Sequence, residues 1–274
     1  MAELEYTLIT PQRAGIQGYL KSLWKYRRMI MVFAQQEIKT TYAQTLLGLF
    51  WLVMKPLMIL ALFTFVFGKL IEIPGMIHPY ALFAFSGLIA WNYFSFLVGS
   101  GSSALINNQN LIRKIYFPKM VLPLSKVIVG LVEAGVSFLI MFVLMIAYGY
   151  GFSLKLLGLI LFLPLNIVAG LGIALWLNAL NLRYRDLNQF IPYLVGFAIW
   201  LTPVFYPSTL IPNEYSFLLY LNPMAWIIEC YRWSILDDAF PSVKYLISLA
   251  EVTIVFISGM VIFIRLEDDM ADYL

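Results

Sequence analysis

Residues 156–182 read LLGLILFLPLNIVAGLGIALWLNALNL, an apolar run without a single Asp, Glu, Lys or Arg. A helix needs about 20 consecutive apolar residues to cross the hydrocarbon core of a bilayer, and this run is long enough. The pattern recurs on both sides of it. Leu46 to Leu70 is apolar apart from Lys55 and Lys69, and Tyr80 to Ala104 lies in a charge-free stretch from Ile73 to Ile112. Met120 to Tyr148 carries Lys126 and Glu133, Gln189 to Tyr206 is charge-free, and Lys244 to Ile264 carries Glu251 inside. The chain therefore reads as an all-α polytopic membrane protein with six spans. Residues 1–45 form an N-terminal segment and residues 46–274 the spanning domain with a short tail.

Composition agrees. Of 274 residues, 62% are hydrophobic and 12% charged, against roughly 25% charged in soluble domains. The mean hydropathy is +0.84. These values exclude a soluble enzyme, a disordered chain and a disulfide scaffold, and long continuous runs argue against an outer-membrane barrel. A net charge of +3 does not suggest a nucleic-acid partner, and the single cysteine, Cys230, makes no intrachain disulfide. Residues 1–15, MAELEYTLITPQRAG, do not fit a cleavable signal peptide.

Loop charge sets an expected orientation. With six spans and the N-terminus inside, the inner segments hold Arg13, Lys21, Lys25, Arg27, Arg28, Lys39, Arg113, Lys114, Lys119, Arg183, Arg185 and Arg265. The outer side and its flanks hold Lys69, Lys155, Arg232 and Lys244. The positive-inside rule then places both termini in the cytoplasm.

Three segments depart from a plain bundle. In residues 15–45, Ile16, Tyr19, Leu20 and Leu23 recur at helical spacing beside lysines and arginines, which predicts an amphipathic helix at the inner membrane surface. The alternative is a basic flank that enforces topology. The loop Asn107–Lys119, NNQNLIRKIYFPK, mixes cations with apolar residues, as a docking helix for a partner would; snorkelling at the membrane surface is its plainer reading. Residues 207–243 hold two hydrophobic segments too short to span, Leu210–Leu221 and Met224–Leu236, predicting re-entrant or interfacial helices between spans five and six.

Catalytic and energy-coupling chemistry is sparse. Gly68-Lys69 is followed by Leu70, and Phe63 stands where a P-loop needs its first glycine. His78 and Cys230 lie far apart in sequence, so no metal site is predicted. Lys55, Glu133 and Glu251 are the ionisable residues inside spans that an ion-coupled carrier would need. Lys126 and Glu133, about 10 Å apart along one helix, cannot pair with each other. Asp237-Asp238 and Asp268-Asp269 are the only acidic pairs a membrane-embedded enzyme would have. Aromatic residues make up 16% of the chain. An interfacial belt accounts for most of them, although Trp and Tyr faces also suit the C–H faces of sugar rings.

Two stretches carry a resemblance. QEIKTTYAQTLLGLFWLVMKPLMILALFTFVF (36–67), above all YAQTLLGLFW (42–51), resembles the first-span region of membrane subunits of polysaccharide ABC exporters. NLRYRDLNQFIPYLVGFAIWLTPVFYP (181–207), followed by Ile211-Pro212 and YLNPM (220–224), resembles the pattern of type-2 ABC export permeases: an Arg-Asp turn, a span ending in a Thr-Pro step, then an Asn-Pro segment. The likeness runs from about residue 30 to the end and is greatest to O-antigen (lipopolysaccharide) exporter subunits, with teichoic-acid and capsule exporters as cousins. Residues 1–30 extend beyond the shorter members.

The resemblance implies a half-transporter of the inner membrane. It would pair with a second copy of itself and with two separate ATPase subunits that bind ATP and Mg. The dimer would export a polysaccharide on a lipid-pyrophosphate carrier. ATPase docking would fall to Glu37, Leu111, Ile112, Arg113, Lys114, Ile115, Tyr116 and Phe117. The channel or gate would include Tyr42, Trp51, Lys55 and Trp200, while Arg27, Arg28, Lys39 and Arg185 would attract the pyrophosphate. Type-2 exporters of lipids or drugs, and a proton-coupled secondary transporter, are the competing classes.

Overall fold

Long apolar helices with few interior charges can satisfy their backbone only by their own i→i−4 bonds, and the chain folds accordingly. A computed structural model describes residues 16–42, 50–71, 78–184 and 186–267, together with Gly48 and Ile73. Its helices are α1 (Ile16–Lys25), α2 (Arg27–Tyr42), α3 (Phe50–Phe63), α4 (Tyr80–Ser102), α5 (Gln109–Ile112), α6 (Val121–Ala147), α7 (Leu159–Arg183), α8 (Leu187–Leu201), α9 (Ser216–Tyr220), α10 (Pro223–Leu236) and α11 (Leu246–Leu266). A π-helical turn, Thr64–Leu70, continues α3. Among the described residues every element is helical.

Among the described residues five helices are long and apolar enough to cross a membrane: Phe50–Leu70, Tyr80–Ser102, Val121–Ala147, Leu154–Arg183 and Val243–Leu266. The sixth expected span, Gln189–Tyr206, falls on the shorter apolar helix α8. The run Gln189–Tyr206 does not form one helix, because α8 stops at Leu201 after 15 residues, about 22 Å of rise. The cause is Pro203. A residue before proline is pushed out of the α region, and Thr202 sits at φ −106°, ψ 136°. The chain then turns tightly, with Val204 N–H donating to the Thr202 carbonyl at 2.7 Å.

The core forms around α4, whose residues are nearly all buried against α6, α7, α8 and α10. Three asparagines on α7 hold α7 to α4. Asn166, Asn178 and Asn181 donate to the carbonyls of Ala90 (2.9 Å), Gly101 (2.6 Å) and Ser102 (3.0 Å). Such bonds average about 0.6 kcal/mol within membranes. On the other side α7 packs against α11, where a Cβ on Gly259 would stand 2.7 Å from the Gly172 carbonyl oxygen.

α10 is a buried 14-residue helix rather than a span. Asn222 caps it by accepting from Met224 N–H at 3.0 Å, and Pro223 occupies the first turn, where its missing N–H costs nothing. The physical role of the YLNPM motif is thus to start this helix. α9 and two single turns, Ser208–Leu210 and Asn213–Tyr215, fill the connection from α8. Of the two expected short segments, Met224–Leu236 falls on α10 inside the core, while Leu210–Leu221 forms single turns and the five-residue α9.

α1, α2, α5 and the loop 113–120 collect at one end of the bundle, which also carries Lys21, Lys25, Arg113, Lys114, Arg183 and Arg265; we call it the basic end. The opposite, far end holds His78, Lys155, Asp237 and Asp238. There His78 bridges Tyr150 (Nδ1, 2.7 Å) and Asp238 (Nε2, 2.8 Å), and Lys155 pairs with Asp237. The acidic pair 237–238 is thus spent on structure. Burial and the neighbouring Asp238 carboxylate raise the Tyr150 phenol above its ordinary value.

Candidate translocation pocket and docking end

Two polar contacts join α2 to α6. Lys126, only 8% exposed, pairs with Glu37 at 2.5 Å. The Tyr42 hydroxyl donates to Glu133 at 2.6 Å. Lys126 and Glu133 are seven residues apart, hence on one helical face. They do not pair with each other, as expected, and each finds a partner on α2. Glu37, assigned above to ATPase docking, spends its carboxylate on this internal bond.

Above the second contact a cavity of about 210 Å³ opens between α3, α4 and α6. Tyr42, Trp51, Lys55, Asn92, Tyr93 and Glu133 are among the residues lining it. Three of the four expected channel residues, Tyr42, Trp51 and Lys55, therefore come together, and Glu133 joins them. Trp200 does not. It lies at the far end of α8, 6.2 Å from the Phe63 ring and 5.6 Å from Phe205. That aromatic cluster closes α8 against α3, with Phe63 and Phe205 stacked at 3.7 Å.

The wall offers a flat indole, phenols, an amide, a carboxylate and an ammonium. Aromatic faces accept the C–H side of a sugar ring, and the polar groups bond its hydroxyls. Glu133 already accepts from Tyr42 through one oxygen. Among the described residues no group of three His, Cys, Asp or Glu is arranged to hold a metal ion.

At the basic end the loop Asn107–Lys119 divides in two. Ile112 and Phe117 are buried in a cluster with Leu23, Met120 and Phe263, and the Phe117 ring lies 5.9 Å from Phe33. Leu111 is half-buried against the same cluster. Arg113, Lys114, Ile115 and Tyr116 are exposed, Tyr116 by 73%. The buried pair anchors the loop, and the exposed tip presents cations and apolar side chains together. Glu267, at the end of α11, holds the loop's base by accepting from Lys119 N–H at 2.7 Å and, through its carbonyl, from the Lys119 ammonium. Tyr19 of α1 lies against this carboxylate, which together with burial raises its phenol far above the ordinary value. Sequence reading missed Glu267, because only folding brings it to the loop.

Of the expected pyrophosphate-attracting residues, Arg27, Arg28 and Lys39 are exposed on α2. Arg27 folds back on Trp24, its guanidinium 5.2 Å from the ring and bonded to the Trp24 carbonyl at 3.1 Å. Arg185 lies outside the described residues, as do residues 1–15.

At the far end Arg232, 1% exposed, was read above only as an outer-flank charge. It donates to the carbonyls of Pro203 (2.7 Å) and Val204 (2.9 Å), meets Glu229 at 3.3 Å and lies 3.6 Å from the Phe83 ring centroid. It thus satisfies the carbonyls that the break after α8 frees.

Comparison with known proteins matches this arrangement to a family. The ABC-2 type transporter family model covers residues 28–236. The chain is 29% identical over 240 residues to the O-antigen export system permease protein RfbA of Myxococcus xanthus, covering 87% of this chain and 92% of that one. It is 27% identical over 266 residues to the RfbA permease of Klebsiella pneumoniae, covering 94% and 96%. It is 25% identical over 229 residues to the polysialic acid transport protein KpsM of Escherichia coli, covering 80% and 86%. A multi-pass helical bundle without a P-loop, matched by the family model from α2 through α10, belongs to the ABC-2 type transporter family of membrane permeases.

Proposed function

We propose that this chain is the membrane subunit of an ATP-driven exporter of lipid-pyrophosphate-linked polysaccharide of the O-antigen type. Two copies form the pathway across the inner membrane, with both termini cytoplasmic. Two separate ATPase subunits bind ATP and Mg and dock on the exposed tip Arg113–Tyr116. The observation that carries this reading is the cavity in which Tyr42, Trp51, Lys55 and Glu133 meet, one wall of a path with sugar-binding chemistry. Similarity to O-antigen export permeases over nearly the whole chain supports the cargo class.

In this mechanism ATP-driven closure of the partner subunits pushes on Ile115 and Tyr116. Phe117 and Ile112 pass the movement to α6 and, through Glu267, to α11. The contacts Glu37–Lys126 and Tyr42–Glu133 keep α2 moving with α6, which reshapes the cavity between α3 and α6. α1, with Leu23 buried and Leu20 and Trp24 exposed beside Lys21 and Lys25, rests on the inner membrane surface. An unpaired charge at the membrane centre costs at least about 2.5 kcal/mol, so the diphosphate needs cations along its route.

The test is to delete the chain from its host and follow lipid-linked glycan. Accumulation inside the cell, restored by the wild-type chain and copurifying with a P-loop ATPase, is the expected outcome. Normal surface glycan, or a chain that purifies alone and transports under a proton gradient, would refute the reading.

A further inference from the structure

The far end carries a cavity to which the export mechanism gives no role. About 470 Å³ opens between the turn that follows α6 and the end of α10. Tyr148, Tyr150, Phe152 and Ser153 form one side, and Ile235, Leu236 and Asp237 the other. Ligand pockets span about 300–1,000 Å³, so this volume holds one small polar group with room to spare. Gly149, at φ +71°, turns the chain out of α6 and lets Tyr150 N–H donate to the Met145 carbonyl at 2.8 Å.

The cavity stands at a membrane edge. Helix α6 ends at Ala147, and the next span begins at Leu154. Around it Ile146, Leu154 and Leu157 are exposed, Leu154 by 85%. A lipid whose tails cover these side chains carries its head at the level of the cavity.

An interfacial belt explains the rings, and snorkelling explains Lys155. Neither explains Asp237. It follows the C-terminus of α10, the negative end of the helix dipole, at φ 64°, where glycine is the usual residue. Asp238 turns to His78. Asp237 instead lines the cavity with its side chain 65% exposed, paired through Oδ1 with Lys155. The Lys155 ammonium also lies 5.6 Å from the Trp233 ring centre. The rim thus shows a positive and a negative charge side by side, next to aromatic faces that attract cations.

That arrangement selects among lipid heads. A purely anionic head would meet the Asp237 carboxylate. A head with both charges sets its phosphate towards Lys155 and its ammonium towards Asp237 and the rings. A primary ammonium fits better than a quaternary one, because it donates hydrogen bonds to the carboxylate and to the Ser153 hydroxyl.

We infer that this cavity binds the head of an ethanolamine phospholipid, with its phosphate at Lys155, its ammonium at Asp237 and its acyl chains along Leu154 and Leu157. The lipid fastens the turn after α6 to the end of α10. The site does not depend on what the chain exports.

The experiment uses the full-length chain in phosphatidylglycerol nanodiscs doped with a phospholipid that carries a diazirine in one acyl chain. The probe is made with an ethanolamine, a choline or a glycerol head, and labelled peptides are mapped by mass spectrometry. The ethanolamine probe should label residues 148–157 about fivefold more than either other probe, the upper range of one exposed charge contact. Asp237→Gly and Asp237→Asn both suit the left-handed backbone. In both the melting temperature should hold while the excess disappears. Glu214→Gln, at an exposed carboxylate elsewhere on the far end, should leave the excess intact. Labelling by the choline or glycerol probe equal to that by the ethanolamine probe would overturn the inference, as would an excess that survives both Asp237 variants. Bilayer lipid would then fill the cavity without selection.

Discussion

The Asn222 amide donates to the Thr202 hydroxyl at 2.9 Å. This bond joins the Thr-Pro step that ends α8 to the Asn-Pro step that starts α10. Two motifs twenty residues apart in sequence are therefore one corner. Asn222 caps α10 with its oxygen and holds Thr202 with its nitrogen, while the Thr202 hydroxyl donates to the Ala198 carbonyl at 2.8 Å. Loss of a cap costs about 1 kcal/mol and loss of a neutral hydrogen bond about 1 kcal/mol. Asn222→Ala should therefore destabilise by about 2 kcal/mol, more than Thr202→Val. A double-mutant cycle read by thermal unfolding in detergent should give a positive coupling energy; strict additivity would show that the corner bond contributes nothing.

Arg232 secures the same corner from beneath. Replacing it with Met leaves Glu229 and the carbonyls of Pro203 and Val204 without their partner. Removing one member of a buried charged pair costs about 3–5 kcal/mol. Arg232→Met should lower the apparent melting temperature sharply, and Arg232→Lys less so. A melting temperature unchanged in Arg232→Met would mean the carbonyls find other donors.

The Glu37–Lys126 pair predicts non-additivity. Lys126→Met strands a carboxylate that is only partly exposed, and Glu37→Gln strands a buried ammonium. Each single change should cost about 1–3 kcal/mol, below the fully buried range because Glu37 is partly solvated. The double variant should recover much of that loss. Unfolding midpoints of the three variants at equal detergent concentration decide the matter.

The docking loop predicts a split between folding and binding. Phe117→Ala removes a buried ring and should cost about 3–5 kcal/mol of stability. Tyr116→Ala and Ile115→Ala should leave the melting point within about 0.5 kcal/mol of the parent, as exposed sites do, yet lose the copurifying ATPase. An ATPase that still binds the Ile115→Ala, Tyr116→Ala double variant docks elsewhere.

The cavity predicts a transport defect without misfolding. Trp51→Ala removes a half-exposed indole and Tyr42→Phe only a hydroxyl. Export of lipid-linked glycan should fall in both, more for Trp51→Ala, since stacking with an aromatic side chain supplies about 0.5–1.5 kcal/mol per ring. Pulse-labelled surface glycan, normalised to chain abundance, measures it. Wild-type export by Trp51→Ala would remove the cavity from the path.

The spans at 80–102, 121–147 and 154–183 were legible within a few residues, because hydrophobic runs without charge have one low-energy form in a bilayer. The mixture of cations and apolar residues at the exposed tip Arg113–Tyr116 was legible too, since these residues are neighbours in the chain. Of the four residues expected in the channel, the cavity brings three together. Tyr42, Trp51 and Lys55 lie close in sequence and stayed together, whereas Trp200 belongs to the far end of another helix and joined an aromatic cluster there.

What the sequence determined by itself is local: which segments are apolar, which of them are too short to span, and that a P-loop is absent. Pairing across the bundle was decided by tertiary structure alone. Lys126 and Glu133 lie on one helix and look like an isolated pair of charges until α2 arrives with Glu37 and Tyr42. Arg232 looks like a flanking cation until α8 breaks and exposes two carbonyls to it. Such partners are separated by 28 to 91 residues. No local periodicity encodes which polar group will meet which. The choice follows from how the apolar faces pack, because a buried donor or carboxylate must take whatever partner that packing brings within reach.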